Sequence, residues 1–153
     1  MKKLFTLAAI TLATLLTLTT IAQPLVKNIA LDNAYILTQA DSVKSAFEKD
    51  GFILSKASTM VMESNNELPV ILSLTAGTSY RIVFIGENTS SSSEMKLMDW
   101  NDKQVAFKKN NGENNVIAYD YKSNTTAYHM IKPAQTNNNA NQLSGYFMVF
   151  KKG

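Results

Sequence analysis

Leu68-Pro-Val-Ile-Leu-Ser-Leu-Thr-Ala-Gly-Thr-Ser-Tyr-Arg-Ile-Val-Phe-Ile-Gly86, continued by Glu94-Met-Lys-Leu-Met-Asp-Trp-Asn-Asp-Lys-Gln-Val-Ala-Phe107, decides the fold. Leu68, Val70, Leu72 and Leu74 alternate, with Pro69 and Ser73 on the opposite face, which is the period of a strand buried on one side. Pro69 cannot donate to a ladder, so it marks a strand start or an edge. Ala76-Gly77 turns the chain. Tyr80 to Ile85 is apolar on both faces apart from Arg81, the pattern of a central strand covered twice. Gly86 to Ser93 is a polar loop, expected to be mobile from its composition. Glu94 to Trp100 and Gln104 to Lys108 form two further strands about a hairpin signal at Asn101-Asp102.

Working outward, the same rhythm continues. Phe52 to Met62 places Phe52 and Leu54 on one face, and Met60 and Met62 share a face further on. Val116 to Lys122 is a tyrosine-rich strand, and Thr126 to Lys132 is another, ended by Pro133. Gln135 to Gln142 is an asparagine-rich loop without core-forming residues. Ser144 to Lys151 carries Tyr146, Met148 and Phe150 on one face and Phe147 and Val149 on the other. Before the strands, Ala40, Val43, Ala46 and Phe47 recur at helical spacing. Thr38 with Asp41 forms a capping arrangement and Gly51 a stop, so a helix is expected over about 39–50, with an earlier start as the alternative. The chain therefore reads as mainly β: an antiparallel β-sandwich of about eight strands preceded by one amphipathic α-helix.

The first 22 residues do not fit that domain. Met1-Lys-Lys3, an apolar run over Leu4 to Ile21 and a small residue at Ala22 have the layout of a secretory signal peptide. The expected organisation is a signal over 1–22 and a single domain over 23–153, with no membrane span once the signal is removed. Lys2 and Lys3 leave with the signal, so thirteen of the fifteen basic residues remain against twelve acidic ones. That balance gives no electrostatic case for nucleic acid. The chain has no cysteine, so disulfides and thiolate metal sites are excluded and an exported domain must rely on its packed core.

Leu72-Ser-Leu-Thr-Ala-Gly-Thr-Ser-Tyr80, Met95-Lys-Leu-Met-Asp-Trp-Asn-Asp-Lys-Gln-Val105, Thr126-Ala-Tyr-His-Met-Ile131 and Ser144-Gly-Tyr-Phe-Met-Val149 follow one another in a cadence. It resembles the bacterial pre-peptidase C-terminal type of β-sandwich across Leu68 to Phe150. The resemblance implies a jelly-roll-like module of the kind appended to secreted hydrolases, where it aids secretion, positioning or substrate contact. Two departures are plain: no peptidase domain is attached, and a helix comes first. They point to a stand-alone secreted form.

Catalytic constellations are thin. His129 is the sole histidine, and it lies between Tyr128 and Met130 in a strand, with no Gly-x-Ser-x-Gly and no thiol to serve. Asp99, Asn101 and Asp102 are too few for a calcium loop, and hairpin chemistry explains them. Met60, Met62, Met95, Met98, Met130 and Met148 read as core filler rather than soft-metal ligands. Glu63, Glu67, Glu87, Glu94 and Glu113 sit in or beside turns and read as solvated. No cofactor and no metal is expected, and the chain is not expected to be an enzyme.

The aromatic set Trp100, Tyr119, Tyr121 and Tyr128 carries the ligand-binding expectation. Exposed rings can stack on the apolar faces of sugars, and Asn and Ser are plentiful nearby. Tyr119 and Tyr121 share a strand face, and Trp100 shares parity with Lys96 rather than Leu97. The residues thus point to a non-catalytic binding module in the periplasm or outside the cell, with a glycan or an envelope protein as partner. The alternative is a structural component that assembles through strand edges.

Overall fold

The computed structural model describes residues 33–110 and 115–153. The expected signal segment and residues 111–114 lie outside the described residues. Among these, one helix precedes eight strands: α1 (Ala34–Lys49), β1 (Ile53–Glu63), β2 (Val70–Leu74), β3 (Thr78–Ile85), β4 (Ser92–Met98), β5 (Gln104–Asn110), β6 (Asn115–Tyr121), β7 (Ala127–Thr136) and β8 (Gln142–Lys152). They form two four-stranded sheets, ordered β1-β8-β3-β6 and β2-β7-β4-β5. Each inter-strand pairing is antiparallel. That order is the double Greek key of a jelly roll, and the β-sandwich expected from the alternation is present.

Between the sheets lie Met60, Met62, Tyr80, Ile82, Phe84, Phe147 and Val149 from one side, and Leu72, Leu74, Met95, Leu97 and Ile131 from the other. The first sheet is also covered on its outside. Val83, Ile85, Met148 and Phe150 pack there with Ile36, Ala40 and Phe52. Thus β3 alternates inward residues with residues facing α1, and Tyr80 to Ile85 is apolar on both faces because both are buried. Arg81 holds its place by setting its guanidinium 4.5 Å from the Phe52 ring centroid and donating to the Tyr80 carbonyl.

Several local expectations are refined or corrected. The helix starts at Ala34, because the Asn33 side chain accepts from the N–H groups of Tyr35 and Ile36 and caps it. Thr38 instead bonds back to the Ala34 carbonyl inside the helix. The contact face runs through Ile36, Ala40, Val43 and Phe47, while Ala46 is exposed. Gly51 stops the helix with φ 81° as expected.

Strand β7 does not end at Pro133 but runs on to Thr136. Ile131 pairs with Val70, and beyond that pair the Pro133 carbonyl accepts from Leu68 N–H. The missing proline donor thus points past the end of β2, where no ladder partner needs it. Gln135, expected in a loop, is buried at the end of β7. Its Oε1 accepts from Glu87 N–H at 3.0 Å and Ser90 Oγ at 2.8 Å, and its Nε2 donates to the Ser144 carbonyl at 2.9 Å. Glu87 also accepts from Ser144 N–H. The Gly86–Ser93 loop, expected to be mobile, is tied down by this hub. A Cβ at Gly86 would sit 2.7 Å from Gln135 Oε1, so the hub needs glycine there.

Gly145 in β8 faces a similar constraint from the core, since a Cβ there would lie 2.6 Å from Phe84 Cε2. Phe84 is fully buried and has nowhere to move. Gly145→Ala is expected to cost about 1–3 kcal/mol through overpacking, seen as a lowered urea midpoint with an unchanged slope.

Candidate functional site

Among the described residues one helix packs on the first sheet, and no element covers the outer face of the second. Inward Leu72, His129, Ile131, Met95 and Leu97 alternate with outward Ile71, Ser73, Tyr128, Met130, Lys132, Glu94, Lys96 and Met98. The register aligns Ile71 with Met130 and Met130 with Met98, Ser73 with Tyr128, Lys132 with Lys96, and Lys96 with Phe107. This face has two zones. Toward the β4–β5 hairpin it is apolar and aromatic, and further along the strands it is charged.

The aromatic zone is built by the hairpin. Asp99 N–H donates to the Lys103 carbonyl, Asp102 N–H to the Asp99 carbonyl, and Asp102 adopts φ 57°. Trp100-Asn101-Asp102 is therefore a three-residue loop closed by a left-handed residue, not a two-residue turn. Asp99 Oδ1 accepts from both Asn101 and Lys103 N–H, each at 2.9 Å, which commits that oxygen to the turn. The loop sets Trp100 at the face's end, 74 % exposed. Tyr128, 56 % exposed, lies with its ring centroid 6.2 Å from that of Trp100 at a 44° tilt. Of the seven exposed large apolar side chains among the described residues, Ile71, Tyr128 and Trp100 gather here, while Phe107 lies in the Lys96 row. Such a concentration marks a contact surface more often than chance exposure does.

The other two sequence candidates are elsewhere. Tyr121 is buried and Tyr119 half-buried on the inner face of β6. With His129 they form a three-ring cluster, with centroids 5.1 Å from Tyr121 to His129 and 5.8 Å from Tyr119 to His129. Burial, with Tyr121 and the Asp99 charge adding, pushes the Tyr119 hydroxyl above its ordinary pKa. These two tyrosines are corrected from contact residues to core. The signal was present: Ile117 shares their parity, while Asp120 has the opposite one. His129, 5 % exposed, is a core ring.

The charged zone is a chain of alternating signs. Lys96 Nζ donates to Glu67 Oε1 at 2.6 Å and lies 3.4 Å from Glu94 Oε1. Lys109 reaches the other Glu94 oxygen at 3.5 Å, and Lys132 the other Glu67 oxygen at 3.8 Å. Glu67 and Glu94, read as solvated, are thus each held by two lysines. The hydrogen bond from Lys96 holds the Glu67 carboxyl below its usual pKa, against a smaller desolvation effect, and the same bond raises Lys96. Sequence spacing could not show this pairing, because Glu67 and Lys96 lie on different segments.

No family model and no curated protein matches the chain. Among solved structures it is similar to a CBM4, at 13% identity and TM-score 0.45, over 67% of this chain and 79% of that one. It is also similar to the CBM36-1 domain of a multidomain xylanase from the hindgut metagenome of Trinervitermes trinervoides. That match has 11% identity and TM-score 0.40, over 68% of this chain and 92% of that one. A family two carbohydrate esterase from Cellvibrio japonicus matches at 9% identity and TM-score 0.38, over 67% of this chain and 31% of that one.

The Glu67–Lys96 pair makes a pH prediction. Glu67 is depressed, so its contribution is present above about pH 4.5, the ordinary value, and is lost as pH falls through the folded value. The Lys96 contribution is present below its ordinary value and is lost as pH rises through its raised one. The Glu67 side chain is 36% exposed, so solvent screening keeps the pair within about 0.2–1 kcal/mol. Glu67→Gln is expected to flatten the acid limb of a stability-against-pH curve and to reduce its salt dependence, measured by urea melts from pH 3 to 7.

Proposed function

We propose that this chain is a non-catalytic, exported binding module whose Trp100–Tyr128 face holds a glycan or cell-envelope polymer. The observation that carries this reading is the paired exposure of the two rings on a sheet that no other described element covers. A water-exposed indole beside a water-exposed phenol keeps apolar surface in solvent at a cost that only a partner recovers. Two tilted rings suit the apolar faces of consecutive sugars, and the neighbouring Ser73 and Lys–Glu row suit hydroxyl groups. The face is shallow, so it fits an extended polymer better than a reaction that must exclude water.

The resemblance to pre-peptidase C-terminal sandwiches agrees with a role in substrate contact. Export is part of this proposal, supported by the signal-like layout of 1–22, with the periplasm or the cell exterior as the compartment. Among the described residues no helix is long and apolar enough to cross a membrane. The alternative, assembly through strand edges, is weakened by the edges themselves. β1 carries a bulge at Ser55 beside Lys56, β2 has five residues, and β5 carries Lys108 and Lys109. Each of these disfavours edge pairing.

The test is capture by a panel of insoluble glycans and envelope preparations. Trp100→Ala and Tyr128→Ala are each expected to lower affinity about tenfold or more, as for central contact residues, with the fold intact by circular dichroism. Tyr121→Phe is expected to leave capture unchanged. Capture unaffected by both face substitutions would remove the proposal.

A further inference from the structure

The seam between the sheets opens where β1 and β2 face each other. A cleft of about 260 Å³ lies there, lined among others by Lys56, Lys151, Ser73, Thr75, Tyr80 and Ile71. The register explains why two lysines reach it. Lys56 pairs with Val149, and Lys151 pairs with Tyr80. Directly paired residues share a face, and Val149 and Tyr80 belong to the inter-sheet core. Both lysine side chains therefore leave the backbone on the core side of the first sheet, at the mouth of the sandwich.

Among the described residues no carboxylate lies within ion-pair distance of Lys56 or Lys151. An inward lysine on an edge strand guards against pairing with another chain, which accounts for Lys56. It does not account for Lys151, because β8 lies between β1 and β3. Two like charges lining one cleft disfavour each other unless an anion joins them. The floor is fixed, since the Tyr80 hydroxyl accepts from Thr75 N–H at 2.8 Å.

The cleft also adjoins the open face. Ile71 and Ser73 line it, and Ser73 pairs with Tyr128 on the next strand, about 5 Å away. A polymer lying on Tyr128 passes over β2 directly onto the lysines. We propose that this cleft is an anion subsite, in which Lys56 and Lys151 hold the negatively charged substituent of an acidic glycan. This assigns the substrate class and rests on the glycan reading of the Trp100–Tyr128 face. A uronic carboxylate and a sulfate or phosphate ester share the required chemistry.

The protein would be titrated with galacturonate, inorganic sulfate and neutral galactose while amide NMR signals are followed. The expected result is that galacturonate, sulfate or both shift the Ser73 and Thr75 amides, while galactose at equal concentration does not. Response to galacturonate alone assigns a uronic acid, response to sulfate alone an ester, and response to both either source. Lys56→Gln and Lys151→Gln should each weaken the responding anion about tenfold, as loss of a close charge contact does. Trp100→Ala should leave the response intact, so failure of the glycan face and failure of the cleft are read separately. No response to either anion, or a response equal to that of galactose, overturns the proposal.

Discussion

Burial of β3 on both of its faces is the constraint on which the rest depends. Ile82 and Phe84 close the space between the sheets, while Val83 and Ile85 lie under Ile36 and Ala40 of the helix. Without cysteine, the chain has no covalent staple. A two-layer sandwich with a third layer on one side removes more apolar surface from water than the sandwich alone. The helix is placed by its own cap at Asn33 and stop at Gly51, and it lands on the sheet whose outward residues are greasy.

The functional asymmetry follows from that placement. Among the described residues the single helix covers one sheet, and the β2-β7-β4-β5 sheet manages its outer face another way. Part of it does so with the Lys–Glu chain from Lys109 to Lys132, which suits water. The other part carries Ile71, Tyr128 and Trp100, which suit it poorly. The hairpin that holds Trp100 is built by Asp99, whose carboxylate accepts two backbone N–H groups. Local turn chemistry thus sets an exposed indole beside Tyr128, on a sheet rigidified from behind by the core.

The strands were legible because alternation reports directly which residues are inward. Leu72 and Leu74, Met60 and Met62, and Phe147 and Val149 all lie where their parity puts them. Two features misled for physical reasons. Pro133 reads as a stop, yet a proline is tolerated where its neighbouring strand has already ended. Gln135 reads as loop polarity, yet a side chain with one acceptor and one donor group can replace missing backbone partners at a loop junction. The candidate site was half legible. Trp100 shares parity with Lys96 and does face outward, but Tyr119 and Tyr121 take the side of Ile117 and pack on His129. The Glu67–Lys96 pair and the β1–β2 cleft join segments distant in sequence, so only the folded register reveals them.

Trp100 is the sole tryptophan, which makes the central claim of an uncovered aromatic face directly measurable. Steady-state quenching of native fluorescence by acrylamide, a neutral quencher, compares the indole with a free tryptophan analogue. Emission at the wavelength of a water-exposed indole, with quenching close to that of the analogue and little changed on unfolding in urea, is the predicted result. A blue-shifted, protected emission that becomes quenchable only on unfolding would contradict the open face.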